Sequence, residues 1–197
     1  MKLTLDVENT VTKRDGKMHL DPFEPDNSLV MVGILTDQGQ CLTFPFDHAD
    51  HPNQDDYYER VQMFLDEATV LICHNAAHDL LWLWESGFKY DGPVYDTMLA
   101  EYVLQRGQKQ PLSLEACAER YELDTKKQDT LKQYFAKGVS TRDIPYNELT
   151  EYLIADLEAT QQLADKQMLR LNHQDDAGLM GTVDLTNQVA VCLARIY

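Results

Sequence analysis

At 197 residues the chain has room for one domain of ordinary size built on a single core. Its 44% hydrophobic content excludes a disordered chain, and its longest purely apolar run, residues 189–194, excludes an apolar membrane-spanning helix. Seventeen basic against thirty-three acidic residues give a formal charge of −16, which opposes a long electrostatic grip on nucleic acid and suits an acidic, solubilising surface.

The first segment, Leu3-Thr4-Leu5-Asp6-Val7-Glu8, alternates in steps of two and predicts a strand buried on one face, with Leu3, Leu5 and Val7 inward. Asp6 and Glu8 then leave the strand on the same side. Two like charges held so close raise each other's pKa, and a divalent cation is the simplest compensation. Lys13-Arg14-Asp15-Gly16-Lys17 is turn-like and leads into a polar, proline-containing loop that ends at Asn27. Residues 29–36 and 40–44 read as strands joined by Asp37-Gln38-Gly39, completing an antiparallel three-strand meander. Helical spacing over residues 54–67 leads, as a crossover, into a short buried strand at 69–73, and an apolar helix over 77–85 stops at Gly87.

Beyond Asp96 the pattern is mostly helical. Asp96 is placed as the cap of a helix over 97–105 and Ser113 as the cap of one over 114–121. Further helices are predicted over 128–137, before Gly138, and over 146–172, behind Pro145. The expected organisation is a main domain at 1–173, a linker at 174–183 and a terminal amphipathic helix at 184–197. Strands, a crossover and then helices predict an α/β fold, a mixed sheet of antiparallel meander plus parallel strands with helices on both faces. Cys41, Cys73, Cys117 and Cys192 lack metal-site spacing, so reduced thiols are expected. The N-terminus has no signal-peptide core, so the chain is expected to be cytoplasmic; a monomer is also expected.

Two further acids stand where the pattern is apolar. Asp79 lies in the first turns of the 77–85 helix, and a buried carboxylate costs several kcal/mol unless paired, protonated or bound to a cation. The dipole of that helix alone would also favour an acid there. Asp156 sits in the middle of the apolar stripe Leu149, Leu153, Leu157, Leu163, with Tyr152 one turn before it. A tyrosine hydroxyl satisfying a buried aspartate would account for that pair as well. Together, Asp6, Glu8, Asp79 and Asp156 suit two divalent metal ions, Mg²⁺ or Mn²⁺, which take hard oxygen ligands. Such a pair of ions stabilises an in-line displacement at phosphorus.

The ordered motifs Asp6-x-Glu8, Asn75-x3-Asp79 and Tyr152-x3-Asp156 resemble those of the DEDD 3′→5′ exonucleases, in particular the proofreading domain of family-A DNA polymerases. The segment Tyr95-Asp96-Thr97-Met98-Leu99-Ala100-Glu101-Tyr102-Val103-Leu104 is also similar to the one after the second motif in that family. Glu151 stands where the His-type subclass has its base, so the chain resembles the Tyr-type branch. The resemblance implies an RNase H-like fold and hydrolysis of single-stranded DNA from its 3′ end to nucleoside 5′-monophosphates. It implies Asp6, Glu8 and Asp156 as ligands of one ion, Asp6 and Asp79 as those of the second, and Tyr152 as the residue that orients the attacking water. Asn75 is implied at the terminal nucleotide, with His74, His78, Thr10 and Val11 as further substrate contacts. The family's base-wedging leucine falls at Thr12 here, with Val11 as its substitute.

The terminal helix resembles the start of a polymerase region, so the expected partners are a single-stranded DNA 3′ end and a polymerase region of the same, longer chain. Such a chain would sit in the host cytoplasm if viral. An RNase D-like or repair exonuclease shares the same motifs. A catalytically silent module of a polymerase is disfavoured, because it has no reason to keep four costly acids.

Overall fold

A computed structural model describes residues 1–51, 56–123, 130–173 and 175–196. Among these, the chain forms β1 (Lys2–Asn9), β2 (Thr12–Arg14), β3 (Lys17–His19), β4 (Leu29–Thr36), β5 (Cys41–Pro45) and α1 (Tyr57–Glu67). Then come β6 (Val70–Cys73), α2 (Ala76–Glu85), β7 (Val94–Asp96), α3 (Thr97–Leu104) and α4 (Leu114–Arg120). The last helices are α5 (Thr130–Ala136), α6 (Tyr146–Leu171) and α7 (Met180–Ala194). Residues 54–55 and 128–129 of two expected helices, Gln174 of the expected linker and Tyr197 lie outside the described residues.

One five-stranded sheet runs β5-β4-β1-β6-β7. β1, β4 and β5 form the expected antiparallel meander, and β6 and β7 add parallel strands on the other side of β1. β7 is an addition to the sequence reading. Its three residues are too few for a period to be seen, and it forms because β6 offers an open parallel edge. β2 and β3 pair around Asp15-Gly16, both at positive φ, so the turn-like segment is a small ribbon.

Helices cover both faces of the sheet. Leu3, Leu5 and Val7 join Val32 and Ile34 against Val61 and Leu65 of α1 and Leu80 and Leu83 of α2. On the opposite face Val30 and Met31 pack with Leu149 and Leu153 of α6. The prediction that β1 is buried on one face therefore needs correction. Thr4, on the second face, has no exposed surface and donates its hydroxyl to Gln161 Oε1 of α6 at 2.5 Å. A helix lying across that face, not visible in the alternation of the strand itself, closes it. The expected linker is also largely helical: a short 3-10 turn at Ala177–Leu179 runs into α7. Val183 and Asn187 of α7 are buried, Val183 in a cluster with Ile72, Tyr95 and Ala100.

Gly33 explains how α6 comes so close. It pairs with Asp6 across β1 and β4, and a Cβ at position 33 would lie 2.8 Å from Leu153 Cγ and 2.9 Å from Leu157 Cδ1. The absence of a side chain there seats the α6 turn that carries Tyr152 and Asp156 directly over the strand that carries Asp6. Gly33→Ala is expected to destabilise the protein by about 1–3 kcal/mol through overpacking, read as a lower midpoint in urea denaturation.

Candidate active site

Three elements meet at the C-terminal end of β1. Asp6 and Glu8 leave it on the face covered by α6, each half-buried. Asp79 arrives from the first turn of α2, is 1% exposed, and accepts a hydrogen bond on Oδ1 from the Val7 amide at 3.2 Å. That amide lies between the two strand acids, so Asp79 is pinned to the strand itself. Tyr152 and Asp156 come from one turn of α6, with the Tyr152 hydroxyl beside the Asp156 carboxylate and easing its ionisation.

The four carboxylates oppose one another. Burial and the Asp156 charge push Asp6 up to about 8, against a small lowering by the Val7 amide. Glu8 is raised by burial and by Asp6, Asp156 and Asp79. Asp79 is raised by burial, Asp6 and Asp96, with the amides of Val7 and its own residue working the other way. Asp156 rises to about 6 through burial, tempered by the Tyr152 hydroxyl. Burial and the charges of Asp156 and Glu8 raise Tyr152 as well, so its phenol keeps its proton and acts as a donor.

This donor set, hard oxygens with surplus negative charge, fits a hard dication and not a soft one. Among the described residues, however, no three acidic, histidine or cysteine side chains are drawn closely enough together to hold an ion between them.

The expected substrate contacts divide. Asn75 is exposed, in a left-handed conformation (φ 75°, ψ 53°), with its side chain not engaged in capping α2. His78 sets Nε2 3.0 Å from Asn9 Oδ1, tying α2 to the residue after Glu8, and burial lowers its pKa. His74 is turned inward: Nδ1 meets the Thr97 hydroxyl at 2.8 Å and Nε2 the Leu112 carbonyl at 2.9 Å. Thr10 is 6% exposed, its hydroxyl accepting from the Ser28 amide at 2.7 Å. Val11 is half-buried, and Thr12 donates its hydroxyl to Asn27 Oδ1 at 2.8 Å. A cleft of ≈ 600 Å³ opens beside Tyr152 and Asp156 between α4, α5 and α6, floored by Ala118, Ala155 and Ala159. Asp96, read from sequence only as the cap of α3, also bonds the start of α2. Its spacing from Asn75 carries no pattern that a sequence could display.

A family model described as 3′-5′ exonuclease matches residues 18–172. The chain belongs to the 3′-5′ exonuclease family. No curated protein matches it. Among solved structures, NrnC from Brucella melitensis with bound Mg²⁺ is similar at a TM-score of 0.67 and 19% identity, covering 99% of this chain and 84% of that one. The catalytic core of RRP6 from Trypanosoma brucei gives a TM-score of 0.62 at 18% identity, over 96% of this chain and 45% of that one. Pol1 from M. smegmatis gives 0.59 at 17% identity, over 91% of this chain and 25% of that one. The exonuclease shares their RNase H-like fold.

For the metal-free exonuclease the raised carboxylates set the pH dependence of stability. The folded-state pKa of Asp6, about 8, lies above that of an unfolded aspartate, about 4. Between those values the folded form holds a proton that the unfolded form has lost, so stability falls as pH rises from about 4 to about 8. Urea denaturation in a chelator is expected to show that slope. Asp6→Asn is expected to raise the unfolding free energy at about pH 8 by about 1 kcal/mol or more, since each relieved pKa unit is worth about 1.4 kcal/mol.

Proposed function

We propose that this exonuclease hydrolyses single-stranded DNA from its 3′ end to nucleoside 5′-monophosphates, as the proofreading part of a DNA polymerase. One observation carries the reading: β1, α2 and α6 bring four carboxylates into one neighbourhood, where burial raises all four and repulsion couples Asp6 to Asp156, Glu8 to Asp6, Asp156 and Asp79, and Asp79 to Asp6. Asp6, Glu8 and Asp156 are the donors for one Mg²⁺ or Mn²⁺, and Asp6 and Asp79 those for a second. Bound there, such ions supply positive charge against the phosphate and acidify water.

Tyr152, a protonated donor held by Asp156, orients the attacking water at the edge of the cleft. Asn75 presents its amide to the terminal nucleotide from the start of α2. With a formal charge of −16 the grip on the polymer is short and weakens with salt. Exposed Leu185, Val189 and Leu193 on α7 support a polymerase region of a longer chain as the neighbour of that face. A second reading, an RNase D-like or repair exonuclease acting on RNA or DNA 3′ ends, is favoured by the likeness to NrnC bound to pGG, which extends over 99% of this chain.

The test is a pair of 5′-labelled single strands, DNA and RNA of one sequence, with Mg²⁺ or Mn²⁺. Stepwise shortening from the 3′ end is expected, faster on DNA. Faster loss of the RNA transfers the assignment to the second reading, and two intact strands overturn both. Asp156→Asn is expected to lower the rate more than about a hundredfold, and Tyr152→Phe about a hundredfold through misplacement of the water.

A further inference from the structure

We infer that Asp96 is a positioning residue for this reaction: its carboxylate ties the starts of α2 and α3 together and so fixes where α2 places Asn75 and Asp79. The inference rests on the roles proposed above for those two residues. Asp96 ends β7 beside Cys73, the last residue of β6, and is 2% exposed. Its Oδ1 accepts from the amides of Met98 at 2.9 Å and Leu99 at 3.2 Å, the ordinary duty of an N-cap. It also accepts from the Asn75 amide at 3.1 Å, and Oδ2 accepts from the Ala76 amide at 2.8 Å.

Asn75 occupies the N-cap position of α2, where an asparagine side chain would ordinarily bond the helix's first free amides, yet it makes no such bond. Asp96 meets part of that need from another strand. The Asn75 amide group is thereby left exposed, on a backbone held left-handed. Thr97 reinforces the tie by donating its hydroxyl to the Cys73 carbonyl at 3.1 Å. Three residues into the helix so anchored, Asp79 meets the Val7 amide.

Four amides converge on this carboxylate, so an asparagine at 96 would turn an N–H towards one of them. Asp96→Asn keeps the bulk and the α3 cap on Oδ1 and loses the bond to Ala76. Asp96→Ser, a good helix cap, is too short to span both helices. Both variants are expected to lower kcat on single-stranded DNA about tenfold or more, with KM changed less than about threefold. Val61→Ala, in α1 and remote from the cleft, serves as a control that loses thermal stability while keeping kcat.

Amide exchange followed by NMR, without metal or substrate, supplies a readout independent of activity. Ala76 is expected to lose protection in both variants while Met98 and Leu99 keep theirs in Asp96→Asn. Unchanged protection at Ala76 overturns the inference whatever the activity, and so does a kcat within about twofold of the parent. Cleavage by the parent chain and its loss in Asp79→Asn test the underlying reading on their own.

Discussion

Electrostatic repulsion among Asp6, Glu8, Asp79 and Asp156 is the constraint around which the rest of the molecule is built. Burying like charges together costs several kcal/mol in the absence of a cation, and the fold holds them on three separate elements to do it. β1 contributes rigidity, because it is paired with β6 up to Thr4 and with β4 through Asp6 and Glu8, which holds both acids on one strand. α6 contributes proximity, through the missing side chain at Gly33. α2 contributes depth, by directing Asp79 at the Val7 amide.

Other buried acids in the same protein show how differently a carboxylate is treated when it has a structural task. Glu101, 1% exposed, bonds Arg120 at 2.8 Å, the Tyr121 hydroxyl at 2.7 Å and Gln167 at 3.2 Å. Asp96 has its four amides. Both are satisfied by donors that the chain itself brings, and both join α3 to a neighbouring element. The cluster at the end of β1 has two amides, of Val7 and Asp79, and one phenol among four carboxylates. That imbalance separates this cluster from a network that locks helices.

Overall acidity and a nuclease fold conflict only if the whole surface must hold the polymer. The cleft beside Tyr152 and Asp156 is lined by alanines from α4 and α6 together with Glu115, Glu119, Glu122 and Lys132, so it is itself mostly acidic where it is charged. A short grip on a few unpaired nucleotides needs few cationic contacts and is compatible with a formal charge of −16.

The amino-acid order determined whatever depends on short-range periodicity. Alternation along residues 3–8 placed Asp6 and Glu8 on one side of a strand, and the apolar stripe around Asp156 placed it one turn from Tyr152. The motifs and their order carried the family. Tertiary structure decided what depends on contacts between distant segments. The second face of β1 is closed by α6, 157 residues away at the Thr4 to Gln161 bond, and no local pattern registers that. The three-residue β7, the early start of α7, the inward turn of His74 and the double duty of Asp96 arise in the same way. Each rests on a partner brought near only when the chain folds, whereas a period is written in neighbouring residues.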